Sequence, residues 1–506
     1  MAVNQLKAGV VLSYAVLALT NIVALLYTPY MLRMMGQSEF GLYSLAASII
    51  AYLTILDVGF GSAIVRYTAK FRAERKKDEQ YSMFGMFVIL YIIFGIVAFL
   101  IGLALYFNVD ALFGNSMTQE ELDKARIMIL ITAFNLAVTL PLSIFGSIIT
   151  AYENFIFQKL VQLARIILNT IAMIAILENG YRAIGMVVVV TIFNLATLSL
   201  NYWYCMHKIK IKIYFHKFQW GLLKGMATYS FFIFLTIIVD RIFWSTGQFV
   251  LGVQIGTAAI AVFAVAIQLE TMYMSFSLAI SGVFLPKVTA LVVNKQSKKV
   301  ISDLFIRTGR IQYIVMSFIL TGFIVFGKQF VLLWAGVDYS EVYIIALLFF
   351  IPLTVPLIQN LGVTILEARN QMKFRAILYI AIALCSLLLQ ISLTKYYGAV
   401  GTAISISIAL IVGNVFIMNI YYFKVQEIDI PKFWQEIANM SLVPIMAGGL
   451  AYFLIGIYPL DTVLDLIIGI FLFSIVYIPA FWRIGMNQYE RDLLGKPLKK
   501  ILSKYI

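Results

Sequence analysis

Apolar runs long enough to cross a bilayer recur from one end of the chain to the other, separated by short polar connections. Roughly 20 mostly apolar residues span a hydrocarbon core. Fourteen stretches meet that requirement: residues 9–32, 37–65, 83–107, 126–150, 157–177, 183–206, 229–252, 257–285, 311–334, 343–366, 376–393, 398–423, 437–458 and 463–482. The pattern predicts an all-α integral membrane protein with about 14 transmembrane helices. The first run is too long for the core of a signal peptide and counts as a span. The seventh is interrupted near its middle by Asp240 and Arg241. A charge at that depth costs at least about 2.5–3.5 kcal/mol per residue, so protein or water, and not lipid, is expected around this pair.

Several spans carry polar residues at helical spacing, which gathers them on one face. The fifth has Gln158, Gln162, Arg165 and Asn169, and the fourth has Thr132, Asn135, Thr139, Ser143 and Ser147. The eighth has Glu270, Tyr273, Ser277 and Ser281, and the tenth Asn360, Thr364 and Glu367. Such stripes either stitch helices together, at about 0.6 kcal/mol per hydrogen bond, or line a hydrated cavity. Ionisable groups are expensive in lipid, so the stripes of Arg165 and Glu270 are expected to face a cavity. The hydroxyl stripe of the fourth span is expected to be packing. Asp57, inside the second span, fits an ion or proton site and a structural acid equally well.

Composition excludes a soluble domain: 62% of the 506 residues are hydrophobic and 12% charged. Cys205 and Cys385 offer no disulfide framework and no metal motif. His207 and His216 lie in a polar connection and read as solvated residues. The net charge of +14 would suggest nucleic acid in a soluble protein, but topology accounts for it. With the N-terminus inside and the spans alternating, thirty Lys and Arg fall on the inner side and six on the outer. That split predicts both termini in the cytoplasm and basic loops near anionic headgroups.

The chain also resembles itself. At an offset of 216, residues 151–159 fall on 367–375 and Ala183-Ile-Gly185 falls on Ala399-Val-Gly401; at 220, residues 36–46 fall on 256–266. These collinear matches predict a duplication of six spans each, parallel in orientation. The expected divisions are an N-terminal lobe at 1–217, a C-terminal lobe at 218–430, and two further spans with a basic tail at 431–506.

Leu56-Asp-Val-Gly-Phe-Gly-Ser-Ala-Ile-Val-Arg66-Tyr, Gly36-Gln-Ser-Glu-Phe-Gly-Leu-Tyr43 and Asp240-Arg241 followed by Gln248-Phe-Val-Leu-Gly252 resemble the matching segments of bacterial Wzx-type O-antigen flippases. These belong to the multidrug/oligosaccharidyl-lipid/polysaccharide exporter superfamily. The resemblance implies a bacterial inner-membrane carrier that turns an undecaprenyl-diphosphate-linked oligosaccharide from the cytoplasmic to the periplasmic face. It also implies two six-helix lobes in a V around a cationic cavity, with a polysaccharide polymerase and chain-length regulator as partners. An anionic lipid diphosphate needs cations, and Arg165, Arg241, Lys159 and Arg33 are the candidates. Gln158, Gln162, Asn169, Asn135 and Tyr273 would hydrogen-bond sugar hydroxyls. Asp57, Asp240 and Glu270 are candidates for coupling to Na+ or H+; no other cofactor is expected. A drug/cation antiporter and a cell-wall lipid precursor flippase share the fold. A membrane glycosyltransferase would need a larger outer loop than the one near residues 108–125, and no P-loop or nucleophile elbow is present.

Overall fold

In a computed structural model of the chain, the described residues are 5–57, 59–215, 218, 220–293, 297–369, 371–493 and 495. Val58, His216, Lys217, Lys295, Asn370 and the tail residues Lys496, Lys499, Lys500 and Lys504 lie outside them. The described residues are helical almost throughout. Its helices are α1 (Gln5–Met35), α2 (Gln37–Leu53), α3 (Phe60–Ala73), α4 (Lys77–Phe107), α5 (Val109–Phe113) and α6 (Gln119–Ala151). Next come α7 (Phe155–Glu178), α8 (Ala183–Tyr204), α9 (Trp220–Trp244), α10 (Thr246–Gln254), α11 (Thr257–Val293) and α12 (Lys298–Trp334). The last six are α13 (Val342–Ile358), α14 (Leu361–Ala368), α15 (Met372–Leu410), α16 (Met418–Lys424), α17 (Ile430–Ile457) and α18 (Val463–Ala480).

Thirteen helical segments among the described residues are long and apolar enough to cross a membrane. One of them, Met372–Lys424, has 53 residues, about 80 Å of helix against a hydrocarbon core of about 30 Å. Gly398, at φ 55° and ψ −135°, breaks it, and the fourteen crossings read from the pattern result. The molecule is a multi-pass membrane protein.

The second crossing differs from expectation. It is not one helix over 37–65: α2 ends at Leu53, a 3-10 turn covers Thr54–Asp57, and α3 starts after Gly59. Gly59 is left-handed, at φ 69°, a conformation that only glycine adopts cheaply. Asp57 therefore sits at a break in the helix, where irregular backbone is tolerated only against protein or a water-filled cavity. The basic stretch from Arg66 to Lys77, expected as a loop, is mostly the end of α3. Arg72 is held there: its Nη1 donates to the Ala151 carbonyl at 2.6 Å and its guanidinium lies over the Tyr152 ring.

The chain divides into two compact units, residues 1–264 with 379–402, and residues 265–378 with 403–506. In the first, α4 packs on α6 through small residues. A Cβ on Gly95 would lie 2.5 Å from the Ala137 carbonyl, and one on Gly102 would lie 2.3 Å from the Ala133 Cβ. Close backbone approach is how helices gain contact where no hydrophobic force drives them together. The seventh crossing, α9 and α10, packs in this unit against α2, α3 and α5.

In the second unit α17 and α18 pack on α12 around Phe326, Phe473, Tyr477 and Phe481. Arg310, expected in a basic connection, is instead buried inside α12 with 6% of its side chain exposed. Its Nε and Nη2 donate to Glu490 at 2.6 and 2.9 Å, and its Nη1 to Glu436 at 2.5 Å. Nη2 also reaches the Gly485 carbonyl at 3.1 Å. This bidentate pair fastens the chain beyond α18 to the start of the ninth crossing.

Local geometry recurs at the sequence offsets. Gly36 and Gly256 both have positive φ, 79° and 125°, and each opens a helix, α2 and α11. The helix starts at Ala183 and at the Gly398 break correspond. After each, a glycine lies against a tyrosine Cβ four residues back: Gly185 on Tyr181 and Gly401 on Tyr397.

Candidate functional site

The break at Asp57 opens a cavity of about 440 Å³ inside the first unit. Asp57, Gly59, Gly61 and Ser62 form one wall, and Ser143, Gly146, Ser147 and Thr150 of α6 another. Gln158 of α7 and Ile237 of α9 complete it. The carboxylate is oriented: Asp57 Oδ1 accepts the Tyr91 hydroxyl at 2.6 Å, and Tyr91 is fully buried. The Gln158 amide donates to the Gly146 carbonyl at 2.7 Å and to Thr150 Oγ1 at 2.9 Å. A methyl placed on Gly61 would lie 3.3 Å from Ser147 Oγ and 3.9 Å from Asp57 Oδ2, so both oxygens border the same empty space. The lower hydroxyls of the fourth-span stripe, expected as packing, thus line a pocket. The upper part does pack: Asn135 Oδ1 and Thr139 Oγ1 both accept from Asn194 of α8, at 2.9 and 2.7 Å.

From Gln158 the polar face of α7 climbs through Gln162 to Arg165 and Asn169. Arg165 lies about 10 Å along the axis from Gln158, at 1.5 Å per residue, and on the same side. Its guanidinium is half-buried and has no hydrogen-bond or ion-pair partner among the described residues. Lys159 Nζ reaches Gln162 Oε1 at 3.5 Å. Asn169 donates to Met173 Sδ at 3.3 Å, and its Oδ1 is buried without a partner among the described residues. A chain of donors on one face, ending in an unneutralised guanidinium, suits a ligand that carries both hydroxyls and an anion.

Other expected site residues lie elsewhere. α1 and α7 run antiparallel, since Gln5 meets the Ile156 amide and Tyr30 meets Glu178. Arg33, exposed in the last turn of α1, is therefore at the opposite end of α7 from the pocket. Arg241 pairs with its own neighbour, Nη1 to Asp240 Oδ2 at 3.8 Å, and its Nε is buried without a partner among the described residues. One turn later α9 breaks at Ser245. The eighth-span stripe, expected to face water, is an interhelical seam in the second unit. Tyr273 is 1% exposed, with its hydroxyl 2.7 Å from Thr354 Oγ1 and its ring stacked on Phe350. Ser277 donates to the Leu357 carbonyl at 2.8 Å, and Glu270 is 2% exposed.

A family model described as polysaccharide biosynthesis protein matches residues 6–292, which include the whole pocket and Arg165. The chain belongs to that family. No protein of curated function matches it. Among solved structures it is similar to "Lipid II flippase MurJ, inward closed conformation", with 19% identity over 96% of this chain and 99% of that one, TM-score 0.70. It is also similar to an inward-facing multidrug resistance MATE family transporter of the MOP superfamily, at 16% identity over 82% and 99%, TM-score 0.59. A third similar structure is the MATE multidrug transporter DinF-BH, at 14% identity over 84% and 96%, TM-score 0.58. This polysaccharide biosynthesis protein thus has a flippase-transporter fold.

Within it, sequence reasoning missed Thr150, Ser62 and Tyr91. Thr150 follows Ser143 and Ser147 on their stripe at the next helical spacing and was legible. Tyr91 was not: a single hydroxyl in an apolar span carries no sign that it meets Asp57.

Proposed function

We propose that this polysaccharide biosynthesis protein is a flippase for an undecaprenyl-diphosphate-linked oligosaccharide. It would work in a bacterial inner membrane by alternating access, with both termini in the cytoplasm as the charge split favours. The observation that carries the reading is Arg165, half-buried mid-way along α7 and unneutralised among the described residues. An unpaired guanidinium at that depth is expensive and is matched by the two oxygens of a phosphate. It is a poor lining for a cationic drug. Lys159 and Arg241 are the further cations of this reading, and Asp240 is the acid through which H+ or Na+ would couple.

The test is complementation of a strain lacking its own O-antigen flippase, with expression of every variant checked. The wild-type chain is expected to restore surface O-antigen, and Arg165→Ala to reduce it at least tenfold. Arg165→Lys should retain an intermediate level, because it keeps the charge and loses the fork. Equal activity of Arg165→Ala and wild type would remove the anion anchor. Rescue of cells depleted of their lipid II flippase, without O-antigen rescue, would assign the chain to cell-wall precursors.

A further inference from the structure

We propose that the Asp57 pocket is the subsite for the first sugar of the cargo and sets which sugars are carried. This rests on the flippase reading. The cavity is about 440 Å³, far more than a bare cation needs. A cation asks for six or so oxygens closed around it, whereas here the oxygens line facing walls of an open space. The lining instead suits a pyranose. Asp57 is a carboxylate acceptor held in one orientation by Tyr91, and Ser147, Thr150 and Gln158 add hydroxyl and amide groups on the facing helices. Gly61 leaves room beside them: its Cβ position lies 3.3 Å from Ser147 Oγ and 3.9 Å from Asp57 Oδ2. Sugars are told apart by the direction of each hydroxyl, and a site built to bond a hydroxyl rejects an analogue that lacks it. Arg165, about 10 Å further along the same face of α7, then stands one diphosphate away from the ring.

The test measures binding to the purified full chain in detergent, with two probes: undecaprenyl diphosphate, and the same lipid carrying one hexose. The wild-type chain should bind the hexose-bearing lipid about tenfold more tightly, the worth of one good hydrogen bond to a charged group. Asp57→Asn should abolish that preference and leave affinity for the sugar-free lipid unchanged. Gly61→Val, which fills the space and keeps the carboxylate, should do the same and covers the case in which Asp57→Asn fails to fold. Arg165→Ala should weaken both lipids alike. A wild-type chain that binds both lipids equally overturns the sugar subsite and leaves the flippase reading standing; binding neither overturns both. If Asp57→Asn keeps the preference but removes a dependence of binding on Na+ or pH, the pocket is an ion site and the proposal fails.

Discussion

Arg310→Ala is expected to destabilise the chain by about 3–5 kcal/mol, a large share of what a typical fold has to lose. The substitution strands Glu490, whose side chain is 1% exposed, as a buried charge without its counter-ion. Among the described residues Glu490 would keep only the backbone amide of Asn487, at 2.9 Å. Desolvating a carboxylate is costly, and one amide does not offset it. The double variant Arg310→Met with Glu490→Leu removes both charges and is expected to recover most of the loss. Unfolding midpoints of the detergent-solubilised chain would check both. A midpoint for Arg310→Ala within error of wild type would mean that the pair contributes nothing to fastening the segment after α18.

Gly41→Ala is the second large effect, although it adds only one methyl. Its Cβ would lie 2.0 Å from the Thr257 carbonyl oxygen, a backbone atom that cannot turn aside. α2 and the start of α11 would have to separate, and overpacking of this kind costs about 1–3 kcal/mol, occasionally more. The same junction is clasped by Glu121, which accepts from Ser38 at 2.5 Å and from Thr257 at 2.6 Å. Gly41→Ala and Glu121→Gln should therefore couple, with a combined loss differing from the sum of the single losses. Strict additivity in unfolding midpoints would show that the helices meet elsewhere.

The motif over residues 36–43 has its physical reason in the contact of Gly41 with Thr257. The motif around Asp57 has one too: Gly59 supplies the left-handed break and Gly61 the empty space. Charge position was harder to read. Arg310 and the arginines of the basic loops look alike in sequence, because the partner that buries Arg310 is 180 residues away. Tyr273 and Gln158 both stood on polar stripes, and only the packing of neighbouring helices separates a sealed seam from an open wall.

The sequence by itself determined the fourteen crossings, the all-helical class and the helical faces that carry polar groups. Length and hydropathy act locally, and lipid leaves the backbone few alternatives to a helix. Tertiary structure alone decided that the second crossing breaks at Asp57, that Tyr91 and the α6 hydroxyls meet there, and that Arg165 is left without an acid among the described residues. Those outcomes depend on which helices become neighbours, and a pattern along one chain does not encode the distance between two of its faces.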